Sequence, residues 1–202
     1  MQTTTRPWRS PRVEWALALD RPTLDEPALR VDSIMSRQVL TCRATDSVNL
    51  AAQIMWEHDC GCVPVVDDAG RPMGMITDRD ICMAAFIRGK KLSEIAVSRA
   101  CSPRIFVCHS DLAVATAMEI MARAQVRRLP VVDAEGRLVG IVTLSDIARN
   151  ARFARLRARN ADGARSLESL LEAVSRPRDV RGGGLGPMTN DERETLAMYD
   201  VP

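Results

Sequence analysis

Gly74, Thr77 and Asp80 stand at intervals of three, and Gly140, Thr143 and Asp146 repeat the pattern 66 residues later. A glycine lets another group come close to the backbone, and a threonine opening a helix offers a hydroxyl and free amides to a phosphate. An aspartate one turn on points the same way and can accept two hydrogen bonds from vicinal hydroxyls. The same residues could serve only as helix caps, with the carboxylates completing the first turn as the macrodipole favours. The two roles are compatible, because a capped helix start is already an anion site.

A second constellation is His58, Asp59, Cys60 and Cys62, all able to ligate a soft or borderline divalent metal. Cys60 and Cys62 would share one face of a strand, which permits chelation. They form half a site, however, and no second Cys-x-x-Cys or His-x-x-x-His completes it. The repeat supplies a control: His58, Cys60 and Cys62 align with Ala124, Val126 and Arg128. The fold therefore does not need these ligands. No metal site is expected, and the cysteines are read as core fillers.

The repeat also shows which elements must position the Gly-Thr-Asp sets. Residues 63–81, "VPVVDDAGRPMGMITDRDI", set over 129–147, "LPVVDAEGRLVGIVTLSDI", are identical at ten of nineteen positions. An offset of 66 is too long for a solenoid period, so a small domain is duplicated. Upstream, Val48, Ala51, Ala52 and Met55 fall on one helical face, and Val114, Ala117, Met118 and Met121 repeat it. Asp46 and Ser47, then Ser110 and Asp111, are the N-cap candidates. First strands are expected at 39–42 and 105–108. Hairpins follow at 62–66 with 73–76 and at 128–132 with 138–142, and helices open at Thr77 and Thr143.

This arrangement resembles the CBS domain in its usual tandem form, the Bateman module, over residues 31 to 150. The resemblance implies an α/β (α+β) fold of two pseudo-symmetric units, each β-α-β-β-α, packed as one body with clefts between them. It further implies a stand-alone, non-catalytic module that binds AMP, ADP, ATP or a related adenosyl ligand and associates as a homodimer. Asp80 and Asp146 would hold ribose hydroxyls. Thr77 and Thr143 would meet the phosphate, with Gly74 and Gly140 at the close approach. Arg79, Arg127 and Arg128 are cations near the clefts, although Arg127 and Arg128 are read equally as surface charges. The adenine nucleotide is a regulatory ligand; no cofactor is required. For dimerisation, the helices after Thr77 and Thr143 offer Ile81, Ala84, Ala85 and Ile147.

Bulk properties exclude other classes. The 202 residues carry a net charge of +2, so no global field favours nucleic acid or an acidic membrane. Aromatic residues are 3%, too few for base-stacking platforms. No apolar run is long enough to span a bilayer and no signal-peptide core opens the chain, which makes the cytoplasm the default location, with reduced thiols. No hydrolase, P-loop or zincin motif is present, so no enzyme activity is expected. Residues 1–30 read as an arm with a turn or two of helix at "VEWALAL", 31–90 and 91–150 as the two units, and 177–202 as a flexible tail. Residues 151–176 read as a helical extension. There Leu167, Leu170, Leu171 and Val174 suit packing on the module or a partner. The arginines at 149, 152, 155, 157 and 159 leave a nucleic-acid or adaptor role as the competing reading, although a solvated helix face is the plainer one.

Overall fold

Two hairpins, each closed by the same aspartate device, organise the molecule. Asp67 Oδ1 accepts from the amides of Ala69 (2.9 Å) and Arg71 (2.8 Å). Asp133 Oδ1 does the same for Glu135 (3.1 Å) and Arg137 (2.8 Å). The turn then needs a left-handed residue, and Gly70 (φ 75°) and Gly136 (φ 78°) supply it. This is why identity between the repeats concentrates on Val-Val-Asp and the following Gly-Arg.

The computed structural model describes residues 12–15, 29–102, 104–157 and 162–176. Its elements are β1 (Arg12–Trp15), β2 (Cys42–Arg43), α1 (Val48–Glu57), β3 (Cys62–Val66), β4 (Pro72–Thr77) and α2 (Asp78–Arg88). They continue with β5 (Arg104–His109), α3 (Val114–Ala124), β6 (Arg128–Val132), β7 (Leu138–Thr143), α4 (Leu144–Arg157) and α5 (Asp162–Ser175). Each unit is β-α-β-β-α. One sheet has the order β2-β3-β4 and the other β1-β5-β6-β7. Both hairpins are antiparallel and both carry a register shift, at Val65/Val66 and Val131/Val132.

The helical faces read from the sequence point inward. Val48, Ala51 and Met55 of α1 and Val114, Ala117 and Met121 of α3 are buried, while Ala52 is half-buried. Each face covers one sheet, so each unit has its own apolar cluster.

The units exchange their leading segments. Val31, Ile34 and Met35 lie in the cluster of unit 2, and Ile95, Val97, Ala100 and Cys101 lie in that of unit 1. The backbone bonds obey the same crossed pattern. Val31 N donates to Leu112 O (2.9 Å), and its counterpart Val97 N donates to Asp46 O (2.8 Å). Val114 N donates to Leu29 O (2.8 Å), and Val48 N donates to Ile95 O (2.8 Å).

That crossing corrects the capping expected at α1 and α3. The N-cap of α3 is Ala113, not Ser110 or Asp111, and Ser47 occupies the N-cap of α1 without a side-chain bond. The first amide of each helix is already satisfied by a carbonyl of the exchanged segment, so no side-chain oxygen is needed. Asp46 instead accepts from Arg43 N (2.7 Å).

The ends differ from expectation too. Residues 13–15, the start of the patch where a helical turn is expected, belong instead to β1, which pairs in parallel with β5. The first strand of unit 1 shrinks to Cys42–Arg43, whereas that of unit 2 runs from Arg104 to His109. Among the described residues only the second has a neighbour on its outer side, and a strand edge without one has no ladder to hold it. Helix α5 packs on α3 and α4, burying Leu170 and Val174 in unit 2 and leaving Leu171 exposed. The side chain of Leu167 and the expected tail at 177–202 lie outside the described residues, as does the rest of the arm up to residue 28.

Candidate functional site

The Gly-x-x-Thr-x-x-Asp sets sit where β4 and β7 pass into α2 and α4. At the first, Asp80 Oδ2 accepts from Thr77 N (2.9 Å) and Thr77 Oγ1 (2.7 Å), and Thr77 Oγ1 accepts from Asp80 N (3.3 Å). At the second, Asp146 Oδ2 accepts from Thr143 N (2.8 Å) and Thr143 Oγ1 (2.6 Å), and Thr143 Oγ1 accepts from Asp146 N (3.2 Å). Both are reciprocal capping boxes. The helix starts are therefore rigid, and in each carboxylate one oxygen is committed to the cap.

The second oxygen distinguishes the two. Asp80 is half-exposed and its Oδ1 has no hydrogen bond among the described residues. Asp146 is buried at 4% exposure, and its Oδ1 accepts from the guanidinium of Arg149, itself 70% exposed. Arg149, counted in the sequence among the arginines of the last helix, is thus the ion-pair partner of a predicted site residue. The side chains of Arg152, Arg155 and Arg157 on α4, and Arg159 altogether, lie outside the described residues.

On the side where a Cβ would stand, both glycines face the exchanged segments. A Cβ on Gly140 would lie 2.6 Å from Met35 Sδ and 2.9 Å from Ser36 O. On Gly74 it would lie 3.3 Å from Ser102 O and 3.4 Å from Cys101 Sγ. The space each glycine leaves on that side is filled by the exchanged segment, the crowding that a glycine within a strand commonly marks.

The arginines are dispersed. Arg79 is exposed, with its amide donating to Asp78 Oδ1 (2.7 Å), and Arg127 is exposed while its carbonyl accepts from Leu144 N (2.9 Å). Arg128 is half-buried, and its guanidinium lies against Gly61 and Cys62 of the other unit, beside Asp78. Burial raises the Cys62 thiol above its ordinary value and the Arg128 cation opposes the rise.

A cavity of about 180 Å³ opens between the units. It is lined by Arg37, Val39 and Thr41 before β2, Val66 and Gly70 of the first hairpin, and Leu138, Val139 and Gly140 of β7. Of the predicted site residues, only Gly140 is in this lining. Thr143 stands three residues further along the same strand, about 10 Å away. Arg37, Val39 and Thr41 escaped the sequence reading. Their signal was contrast: their counterparts Pro103, Ile105 and Val107 lack both the charge and the hydroxyl.

The stretch from His58 to Cys62 resolves locally. His58 is the C-cap of α1, Asp59 takes the left-handed turn (φ 47°), and Cys60 packs on the core of unit 1. Among the described residues no group of three His, Cys, Asp or Glu side chains is gathered to hold a metal. Burial pushes the thiols of Cys42, Cys101 and Cys108 up to about 12, which makes them poor nucleophiles at neutral pH.

No helix of the described residues is long and apolar enough to cross a membrane. An uncharacterized protein, MK0525, of Methanopyrus kandleri is 33% identical over 120 residues, which cover 59% of this chain and 61% of that protein. The CBS domain-containing protein YhcV of Bacillus subtilis is 37% identical over 120 residues, 59% of this chain and 84% of its own. Three solved structures share the fold. Hypoxic Response Protein I with two coordinated zinc ions is 35% identical (TM-score 0.55, 59% of this chain and 97% of that one). The CBS domain pair of protein MJ0100 in complex with 5-methylthioadenosine and S-adenosyl-L-methionine is 32% identical (TM-score 0.54, 61% and 95%). CBSX2 in complex with AMP is 26% identical (TM-score 0.55, 63% and 98%). The CBS domain matches residues 31–86 and 94–152, together more than half of the sequence. Both matches coincide with the structural repeat: the chain belongs to the CBS domain family and carries two copies as a pair.

Proposed function

We propose that the chain is a non-catalytic regulatory module that binds an adenosyl ligand, AMP or ATP in the first instance, between its two units. The carrying observation is the twice-complete Gly-x-x-Thr-x-x-Asp set on rigid, capped helix starts. The MJ0100 and CBSX2 structures, with their adenosyl ligands, support the ligand class. Thr77 and Thr143 stand at the phosphate and Asp80 and Asp146 at the ribose. The caps leave Asp80 Oδ1 free and Asp146 Oδ1 on an exposed arginine that can turn away. Arg37, at the rim of the open cavity, adds a cation for the phosphate. Pockets that enclose a drug-sized ligand measure about 300–1,000 Å³, so a nucleotide must extend beyond the cavity along β7 or part the units. Either way it contacts both units and biases their packing, which lets a module without chemistry report a metabolite.

A hydrogen bond to a charged acceptor contributes about 1.5–3 kcal/mol, so Asp146→Ala weakens AMP binding by roughly tenfold or more. Calorimetry with AMP and ATP on wild type, each single variant and Asp80→Ala/Asp146→Ala measures it, with melting curves to confirm folding. A double variant that binds as wild type does would reduce both carboxylates to helix caps and end the proposal.

The module is proposed to act as a homodimer, through α2, one of the two helices read from the sequence, but by side chains other than those read there, together with α1. Ala84 and Ile147 are buried within their own units, and Ile81 packs on the core of unit 1. Among the described residues, the large apolar side chains exposed on α1 and α2 are Leu50 and Trp56, the latter 88% exposed, and Met83 and Phe86. Light scattering at micromolar concentration is expected to give twice the chain mass, and Trp56→Glu with Met83→Glu to halve it. A monomer mass for the wild type rejects the dimer.

A further inference from the structure

The 66-residue repeat requires a second cleft, and the structure shows what has become of it. The open cavity has Val39, Thr41 and Val66 in its wall, all half-buried. Their counterparts Ile105, Val107 and Val132 are 3%, 1% and 0% exposed and form a separate buried cluster. The same wall is therefore open in one half of the molecule and shut in the other.

The difference lies in β1. It pairs along β5 in the register Arg12↔Arg104, Val13↔Ile105, Glu14↔Phe106 and Trp15↔Val107, and it lies against β4 as well. It thus spans the space between β5 and β4, where the pseudo-symmetric cleft at Gly74 would open. Among the described residues, the equivalent edge at β2 carries no added strand. There the units are tied instead by Leu138 N donating to Gly70 O (2.9 Å), a bond whose counterpart is impossible because Pro72 has no amide hydrogen. The half that cannot make the tie is the half that the strand closes.

We infer that β1 is a built-in occupant of the second cleft, added by strand augmentation, and that it holds the module to one open ligand site per chain. The ligand clause rests on the function proposed above; the occupancy does not. A four-residue strand at a sheet edge opens far more readily than the core beneath it, so β1 can leave without global unfolding. By linkage, whatever binds the second cleft must expel β1, and whatever draws β1 away raises affinity there by the same factor.

The test uses the full chain and Val13→Pro/Glu14→Pro, which removes two adjacent amide donors and so breaks the ladder whichever of them faces β5. Hydrogen–deuterium exchange at 105–107 is expected to accelerate at least tenfold in the variant, with 39–41 fast in both proteins. Calorimetry with AMP is expected to give one site per chain in the wild type and two in the variant. Unchanged exchange at 105–107 overturns the inference, as does accelerated exchange with AMP still at one site. If AMP binds neither protein, the proposed ligand is wrong, while accelerated exchange still supports occupancy by β1. Should the variant unfold, thiol labelling of single substitutions decides. Val107→Cys is expected to react at least tenfold more slowly than Thr41→Cys, and equal rates overturn the inference.

Discussion

Replacing Val31 by Asp opens unit 2, although Val31 precedes unit 1 in the chain. Val31 has no exposed surface and sits among Met121, Leu129 and Val142 of unit 2. A carboxylate there has no cation to pair with in that apolar cluster, and leaving a buried charge uncompensated costs about 3–5 kcal/mol. At roughly 2–4 °C per kcal/mol for a chain of this size, the melting temperature falls by roughly 6–20 °C. Val31→Ala removes two methyl groups, at about 0.8 kcal/mol each plus the cavity they leave, and is the milder control.

The location of the damage is the sharper part. Native-state hydrogen exchange on Val31→Asp is expected to show early loss of protection in β6, β7 and α3, while β3, β4 and α1 keep theirs longer. The counterpart Val97→Asp gives the mirrored pattern, because Val97 is buried in unit 1. If Val31→Asp opens β3 and β4 first, the leading segments are not exchanged.

That exchange could not be read from the sequence, and the reason is physical. Periodicity reports which face of an element is buried, not which of two similar cores buries it. The six residues at 31–36 fit either unit by composition. The hairpins were legible because Asp67 and Gly70, and likewise Asp133 and Gly136, act within a few residues of one another. The caps at Thr77 and Thr143 were legible for the same reason. Those at Ser47 and Ser110 misled because the acceptor that α1 and α3 use comes from a distant carbonyl. The strand β1 misled likewise: Val-Glu-Trp alone says nothing of an edge ninety residues away. Of the candidate site, the side chains within one turn of α2 and α4 were visible. The wall built by Arg37, Val39 and Thr41 was not, because it exists only once the units meet.

Gly140 shows how closely they meet, and Gly140→Ala is expected to measure it. The added Cβ would overlap Met35 Sδ and Ser36 O, at 2.6 and 2.9 Å. Met35 is flexible and can turn aside. The Ser36 carbonyl cannot, because it accepts from Ile141 N while Ser36 N donates to Ile141 O, both at 2.9 Å. The new methyl therefore pushes against a closed pair of backbone bonds, and overpacking of this kind costs about 1–3 kcal/mol. Set against the gain of about 0.4–1 kcal/mol that any such glycine replacement makes through the unfolded chain, this lowers the melting temperature by up to roughly 10 °C. At Gly74 the nearest atoms are 3.3 and 3.4 Å away, and Ser102 meets β4 through one backbone bond, its amide donating to Met75 O at 3.2 Å, while its hydroxyl bonds only to Arg104 nearby in the chain. A shift of a few tenths of an ångström relieves that contact. Replacing glycine also stabilises by about 0.4–1 kcal/mol through the unfolded chain, so Gly74→Ala should be close to neutral. Calorimetric melts of the two variants decide the point. Equal losses would mean that the two crossings are equally tight and that the distances at Gly140 do not govern its stability. A loss confined to Gly140→Ala places the tighter clamp between the units at the open cavity, on the strand that leads to Thr143 and Asp146.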